Sequence, residues 1–389
     1  MKAGLILAAA LAVVAPVHFT VFAHTDLRLG AIVWTGRDLL VVEENTGKIE
    51  ASDAAGHSFR PFTTIDPGGE EMRCVASTGL YWPAGDVYCH TADNRIVRAA
   101  RDGSKVVELA RLPGGGPSDG ALAFDTGGRF GYALLAATGG SSSNGGSVYS
   151  IRRNGAVTLL GSYPGPGGAD EIAIAPARFG AASRRLLLSI DQDRIAGRLL
   201  AFDRGGAVSV VVDKLGNGLN PLAVVAPPPK KRAAGSPAAG LYVTDTVSMS
   251  VLFAPAAQFA TLRGAVIVGT ELTGQFWAVR ASGARFTTTP LPGALPPGAY
   301  NLEGAVYIPC RMSPLTRRYH VPSALRVSSA RIDPDVAREL LDRGALLVDV
   351  RREDDPAVSI AGAVRIPPDE IPARLAELPR DTPIVLACA

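Results

Sequence analysis

Charge, aromatic rings and histidine are all scarce in this sequence. Of 389 residues, charged side chains make up 19% and aromatic ones 6%, and the formal net charge is only +3. The one tight basic cluster, Lys230-Lys231-Arg232, lies within the Pro/Ala/Gly-rich stretch Pro227 to Pro237. It reads as a solvated loop, so nucleic acid is excluded as a partner class. None of the five histidines (His18, His24, His57, His90, His320) falls in a small-residue apolar strand segment, which argues against a histidine-based hydrolase. There is no Gly-x-Ser-x-Gly elbow and no phosphate loop, and the Ser/Gly run Gly139 to Gly146 reads as a loop tip. After the N-terminus no apolar run is long enough to span a bilayer.

What is abundant points to strands and turns. Hydrophobic residues reach 47%, with 43 Gly and 29 Pro, a composition that suits many short strands. The start differs: Met1 and Lys2 precede the apolar run Ala3 to Val14, which is broken soon after by Pro16 and His18. This has the form of a secretory signal, and Val21-Phe22-Ala23 offers small residues at alternate positions, predicting a mature start near His24. An uncleaved membrane anchor is the competing reading. The expected location is periplasmic or secreted, with no membrane attachment after cleavage. Export permits disulfides. Of the four cysteines, Cys74 and Cys89 sit in two strand-like segments flanking the turn Gly79 to Gly85, which predicts their pairing; Cys310 and Cys388 remain.

Between about Leu27 and Pro309 one unit recurs: an alternating strand, a turn with glycine, then a second strand. The turn glycines are Gly103, Gly155, Gly206 and Gly283, with a weaker earlier copy at Gly56. Most lie about 50 residues apart, the length of one propeller blade. The longer last gap leaves room for a degenerate blade around Val251 to Leu262. A small-residue strand precedes each of several hairpins, beginning near Ser118, Ala169, Leu219 and Leu302. These suit the crowded innermost strand of a blade. The expectation is a mainly β, six-bladed propeller over 24–309, closed by joining its two ends because the strands near Ala31 to Ile49 have no clear inner strand before them. The repeats resemble six-bladed propellers of the gluconolactonase, regucalcin and NHL-repeat kind.

Asp119, Asp170 or Glu171, Asn220 and Glu303 occupy equivalent points of four inner-strand segments. Oxygen ligands converging on one axis suit a hard cation such as Ca²⁺. In lactonase relatives an ion so held activates water, so the resemblance implies a metal-dependent lactonase as one alternative. The other reading of these groups is a merely solvated polar mouth.

After Pro309 the texture changes. Residues 310–329 read as a linker, and 330–389 as a separate α/β module. Asp333-Pro334 begins a helical run with Val336, Leu340 and Leu341 on one face and Gly344 as its stop. Ala345 to Val350 is a continuous apolar strand of the parallel, doubly covered type. A short helix at Glu370 to Leu378 and a buried strand at Ile384 to Ala387 follow. Three ordered segments, Leu347-Val-Asp-Val-Arg351, Gly362-Ala-Val-Arg-Ile-Pro367 and Pro383-Ile-Val-Leu-Ala-Cys388, resemble the rhodanese-like sulfurtransferase family.

The resemblance implies that Cys388 is the nucleophile, its thiolate cradled by backbone N–H groups of the loop that follows. Its partners would be a small-molecule sulfur donor or another protein. Asp349 and Arg351 are candidate site residues, or else a hydrogen-bonded turn with no part in transfer. Two departures lower the expected competence. Ser359 stands where the family usually shows histidine, and only Ala389 follows Cys388 in this sequence. The expected whole is an exported propeller that binds a ligand or partner, fused to a rhodanese-like module that is incomplete or inactive as given. A non-catalytic interaction scaffold is the further alternative.

Overall fold

The computed structural model describes residues 16–77, 79, 81–114, 120–139, 145–191, 196–226, 237–293, 295, 300–309, 332, 334–342, 344–351, 360–367, 370–379 and 382–387. The chain divides into two compact units, Met1–His320 and Val321–Ala389, which are taken separately below.

The first unit contains six four-stranded antiparallel sheets. Five are built largely from consecutive chain. Their innermost strands are Leu29–Trp34, Arg73–Ala76, Ala121–Phe124, Gly168–Ile174 and Leu222–Val224, for blades one to five. The turn glycines of the repeat join the third strand to the outer strand of each of these blades. Gly56, Gly103, Gly155, Gly206 and Gly283 all take positive φ, between 61° and 87°, a region glycine enters without the clash a Cβ would bring. The strands near Ala31 do not lack an inner partner: Leu29–Trp34 is itself the inner strand of blade one, and Leu39–Glu43 pairs beside it.

Blade six is assembled from three parts of the chain. Its inner strand is Leu302–Ile308, followed outward by Gly240–Asp245, Ser250–Pro255 and, at the edge, Thr20–His24. The hairpin 240–255 leaves blade five between that blade's first and second strands and joins its neighbour. No separate degenerate blade therefore forms around Val251 to Leu262; Ser250–Pro255 is a full member of blade six and Ala256–Leu262 is a 3₁₀ helix. The two ends of the propeller segment share one sheet, so no open edge remains where the ring meets itself.

Apolar side chains fill the gap between every pair of neighbouring blades, giving six cores rather than one. The core between blades five and six includes Val17 and Phe19, exposed by only 2% and 6%, and the Val17 N–H donates to the Pro292 carbonyl at 2.8 Å. The segment from Val17 to His24 is thus built into blade six, and cleavage after Ala23 would remove both buried side chains and nearly all of the edge strand. Cys74 and Cys89 face each other across blade two and form a disulfide, with Cα atoms 4.1 Å apart.

The second unit holds a three-stranded parallel sheet with Leu346–Asp349 in the middle, Val364–Arg365 on one side and Ile384–Ala387 on the other. The helix Pro334–Asp342 precedes it and stops at Gly344, whose φ is +86° and whose N–H donates to the Leu341 carbonyl. The segment 370–378 is broken into a single α turn, Ile371–Arg374, and a 3₁₀ turn, Leu375–Glu377. Covering of the sheet is one-sided at its last strand: Val385 is buried, whereas Ile384 and Leu386 are exposed. No described helix is long and apolar enough to cross a membrane.

Candidate functional site

The six inner strands neighbour one another in a closed ring around the propeller axis, and Arg73, Asp170 and Glu303 lie within the first three residues of theirs. Arg73 opens the inner strand of blade two and is 4% exposed. Its Nη2 donates to Asp170 Oδ1 of blade four at 2.8 Å and to Glu303 Oε2 of blade six at 2.7 Å. Asn220, just before the inner strand of blade five, donates through Nδ2 to Glu303 Oε2 at 3.1 Å, and Asn301 Nδ2 donates to Glu303 Oε1 at 2.9 Å. Four blades thus meet in one network. A buried carboxylate is tolerated only when paired and hydrogen-bonded, and Glu303 accepts three such bonds.

Asp170, Asn220 and Glu303 therefore converge, and the positive charge among them is the guanidinium of Arg73. Among the described residues no group of three or more His, Cys, Asp or Glu is arranged to hold a metal ion. Asp119 lies outside the described residues. Glu171 has a different job from Asp170: its two carboxyl oxygens accept the backbone N–H groups of Leu222 in blade five and Ala305 in blade six, the latter at 3.2 Å. It links three neighbouring inner strands.

Carboxyls crowd this end of the ring and are driven toward their neutral form. Burial first, then the charge of Glu303, pushes Glu44 up to about 7, although Arg28 pairs with it. Burial raises Glu171 to about 8 against the pull of Arg73. Glu271 is raised to about 9 by burial and by Glu303. Glu303 is raised as well, by burial, with Arg73 opposing. Beside them His90 is wholly buried and pushed down to about 4, its Nε2 3.3 Å from Asn94 Oδ1. Gly120 packs against that ring so closely that a Cβ there would sit 2.0 Å from Nδ1.

Beyond the network the axis opens into a cavity of about 420 Å³ lined by the inner strands of all six blades. Arg73, Asp170 and Glu171 form its charged end. Its wall is made of small and branched apolar side chains such as Ala31, Ala123, Ile172 and Ala305, and Trp34, Phe124 and Tyr307 stand toward the strand ends.

Sequence reasoning did not single out Arg73, Glu44 or Glu271. Arg73 begins the strand read only as a partner in the disulfide, and nothing in its spacing marks that strand as innermost. The usable signal was indirect: several carboxyls aimed at one axis require a counter-charge.

In the second unit, Asp349 ends the central strand and is 1% exposed. Arg351 grips it in a bidentate pair, Nε to Oδ1 at 2.9 Å and Nη2 to Oδ2 at 2.8 Å, and the Arg351 N–H also donates to Oδ1. These bonds hold the Asp349 carboxyl down at about 2. Arg365 Nη1 approaches Asp349 Oδ2 at 4.0 Å. Asp349 pairs with Ala387 across the sheet, and the Val350 N–H donates to the Ala387 carbonyl at 3.0 Å. Cys388 is the next residue in the chain; it lies outside the described residues, as do Cys310 and Ser359.

No family model and no curated protein matches the chain. Solved structures do. The PQQ-bound aldose sugar dehydrogenase of Streptomyces coelicolor matches at 16% identity and TM-score 0.39, over 71% of this chain and 86% of that one. The apo soluble aldose sugar dehydrogenase of Escherichia coli matches at 10% identity and TM-score 0.48, over 70% and 89%. YCF48 bound to D1 peptide matches at 13% identity and TM-score 0.38, over 69% of each chain. Likeness at this level says nothing of activity, and the six-bladed ring rests on the strand pairings themselves.

Proposed function

We propose that the chain joins two tasks: an exported propeller that binds a small ligand or a protein partner, and a rhodanese-like module that carries sulfur on Cys388. The observation that carries the second task is the order and register of the parallel sheet. The strand that ends at Asp349, two residues before Arg351, lies between the other two motif strands, and Asp349 pairs with Ala387, one peptide bond before Cys388. Export is supported by the disulfide in blade two, since such bonds persist in oxidising compartments.

In the reaction, the Cys388 thiolate attacks the outer sulfur of thiosulfate. A sulfur–sulfur bond forms on the protein as sulfite leaves with the electron pair of the broken bond. An acceptor nucleophile such as cyanide then takes the terminal sulfur as thiocyanate and restores the thiolate. Thiocyanate formation from thiosulfate and cyanide is therefore expected for the protein expressed from its natural gene, and should vanish in Cys388→Ser. Equal rates in the two would end this reading.

A further inference from the structure

We infer that the axial cavity of the propeller takes a single-chain anionic amphiphile, its apolar tail inside and its head group at the mouth beside Arg184. The inference rests on the reading of the propeller as the ligand-binding half of the chain and adds the chemical class of the ligand. The cavity is closed at one end and open at the other. The inner strands begin on buried residues, Leu29, Arg73, Ala121, Gly168, Leu222 and Leu302, with the ion network of Arg73, Asp170 and Glu303 at that level. They finish on partly exposed ones that line the cavity, Trp34, Ala76, Phe124, Ile174, Val224 and, one residue before the end, Tyr307. Apolar surface therefore runs from a blind end out to a mouth. Its volume of about 420 Å³ lies within the range of small-molecule sites.

The sign of the charge differs between the two ends. The blind end carries the carboxyls of Asp170, Glu171 and Glu303 against the single guanidinium of Arg73, which is paired with two of them, so an anionic head is repelled from it. The mouth is bordered by the loops that follow the inner strands. In the described parts of 35–38, 77–86, 125–133 and 175–185 the exposed charged side chains are Arg37, Arg129, Arg178 and Arg184. The acids of these loops are engaged internally: Asp38 pairs with Arg60 at 3.1 Å, Asp86 accepts from Arg98, and the buried Asp125 accepts the Phe130 and Tyr132 N–H groups. Arg184 borders a hollow of about 440 Å³ together with Thr126 and Ile174, and those two residues line the axial cavity as well. A guanidinium there offers a fork of N–H donors to a carboxylate. The length of the tail is set by the wall. From Asp170 to Ile174 the strand advances roughly 13 Å, which an extended saturated chain of about ten carbons fills at about 1.5 Å per bond along its zigzag.

The test titrates decanoate, octanoate and decyltrimethylammonium into the full chain by calorimetry, below the concentrations at which they form micelles. Saturable one-to-one binding of decanoate is expected. Octanoate, two methylenes shorter, should bind about tenfold more weakly, and the ammonium about tenfold more weakly or worse for want of the charged hydrogen bond. Arg184→Gln should weaken decanoate about tenfold and leave the ammonium no weaker; the side chain is exposed, so the fold does not depend on it. Ala305→Phe, which fills the cavity from blade six, should abolish decanoate binding, and Ala173→Phe gives the same block from blade four should the first variant fail to fold. Decanoate binding unchanged by Arg184→Gln, octanoate binding as tightly as decanoate, or undiminished binding in a folded blocked variant would each overturn the inference. Saturable binding of the ammonium at equal or greater strength would overturn the anionic head while keeping the propeller as a ligand binder. Saturable binding by none of the three would overturn the inference and leave a protein partner as the occupant of the propeller.

Discussion

Replacing Arg73 by methionine removes the guanidinium that pairs with Asp170 and Glu303 in the axial network while keeping much of the apolar stem. In the parent chain the guanidinium holds two carboxylates at 2.8 and 2.7 Å, and all three side chains are under 10% exposed. Breaking a buried pair by deleting one partner typically costs about 3–5 kcal/mol, because the remaining charge stays buried without compensation. That is a large part of the 5–15 kcal/mol that a folded domain ordinarily has. The cost should shrink in acid, where Glu303, whose carboxyl burial has already raised, takes up a proton. A triple variant, Arg73→Met with Asp170→Asn and Glu303→Gln, removes the orphaned charges as well and should recover most of the loss, making the three substitutions strongly non-additive. Urea unfolding of the three proteins, read as midpoint and slope, gives each number. A loss of less than about 1 kcal/mol in the single variant, the level of an exposed ion pair, would refute the reasoning. So would a triple variant less stable than the single.

Other outcomes follow from the same geometry. Glu44, Glu171 and Glu271 have folded-state values raised to about 7, 8 and 9 from 4.5; the folded chain therefore binds more protons than the unfolded one between these limits, and stability should fall as pH rises from about 5 to 9. Urea midpoints that are flat or rising across that window would contradict the burial of these carboxyls. Cys74→Ala with Cys89→Ala opens a bridge with a sequence separation of 15 and should cost about 3 kcal/mol, a loss matched by adding reductant to the parent. A chain beginning at His24 lacks Val17, Phe19 and most of the edge strand of blade six, and should unfold at markedly lower urea than one beginning at Pro16. If an exported form is processed, mass spectrometry of its N-terminus should place the cut before Val17. Gly304→Ala brings a Cβ to 3.0 Å from the backbone of Gly30, Ala31 and Ile32, at the seam between blades six and one, and should cost about 1–3 kcal/mol in urea unfolding.

Much of the ring was legible because its turns demand a particular residue. Only glycine enters the positive φ region freely, so Gly103, Gly155, Gly206 and Gly283 mark the same hairpin in four blades whatever the strands around them. The interleaving of blades five and six was not legible. Alternation of small and apolar residues tells which segments are strands, whereas the partner of the hairpin 240–255 is chosen by packing with Leu302–Ile308, some fifty residues further on. The same ambiguity covers Thr20–His24: alternating small residues serve a processing enzyme and an edge strand equally well. Within the site, Asp170, Asn220 and Glu303 could be grouped from their equivalent positions, but Arg73 could not, since its strand carries no such motif. In the second unit the helix stop at Gly344 and the strand 384–387 were plain from local chemistry. The one-sided burial of Val385 against Ile384 and Leu386 was not, because a run of apolar residues does not say which face has a cover.

The sulfur-carrying role is tested most directly by intact mass. After incubation with thiosulfate and removal of excess reagent, the protein from its natural gene should gain the mass of one sulfur atom, with the added sulfur mapped by peptide mass to Cys388 and discharged by cyanide. A mass that does not change, or a sulfur atom that persists in Cys388→Ser, would contradict the account.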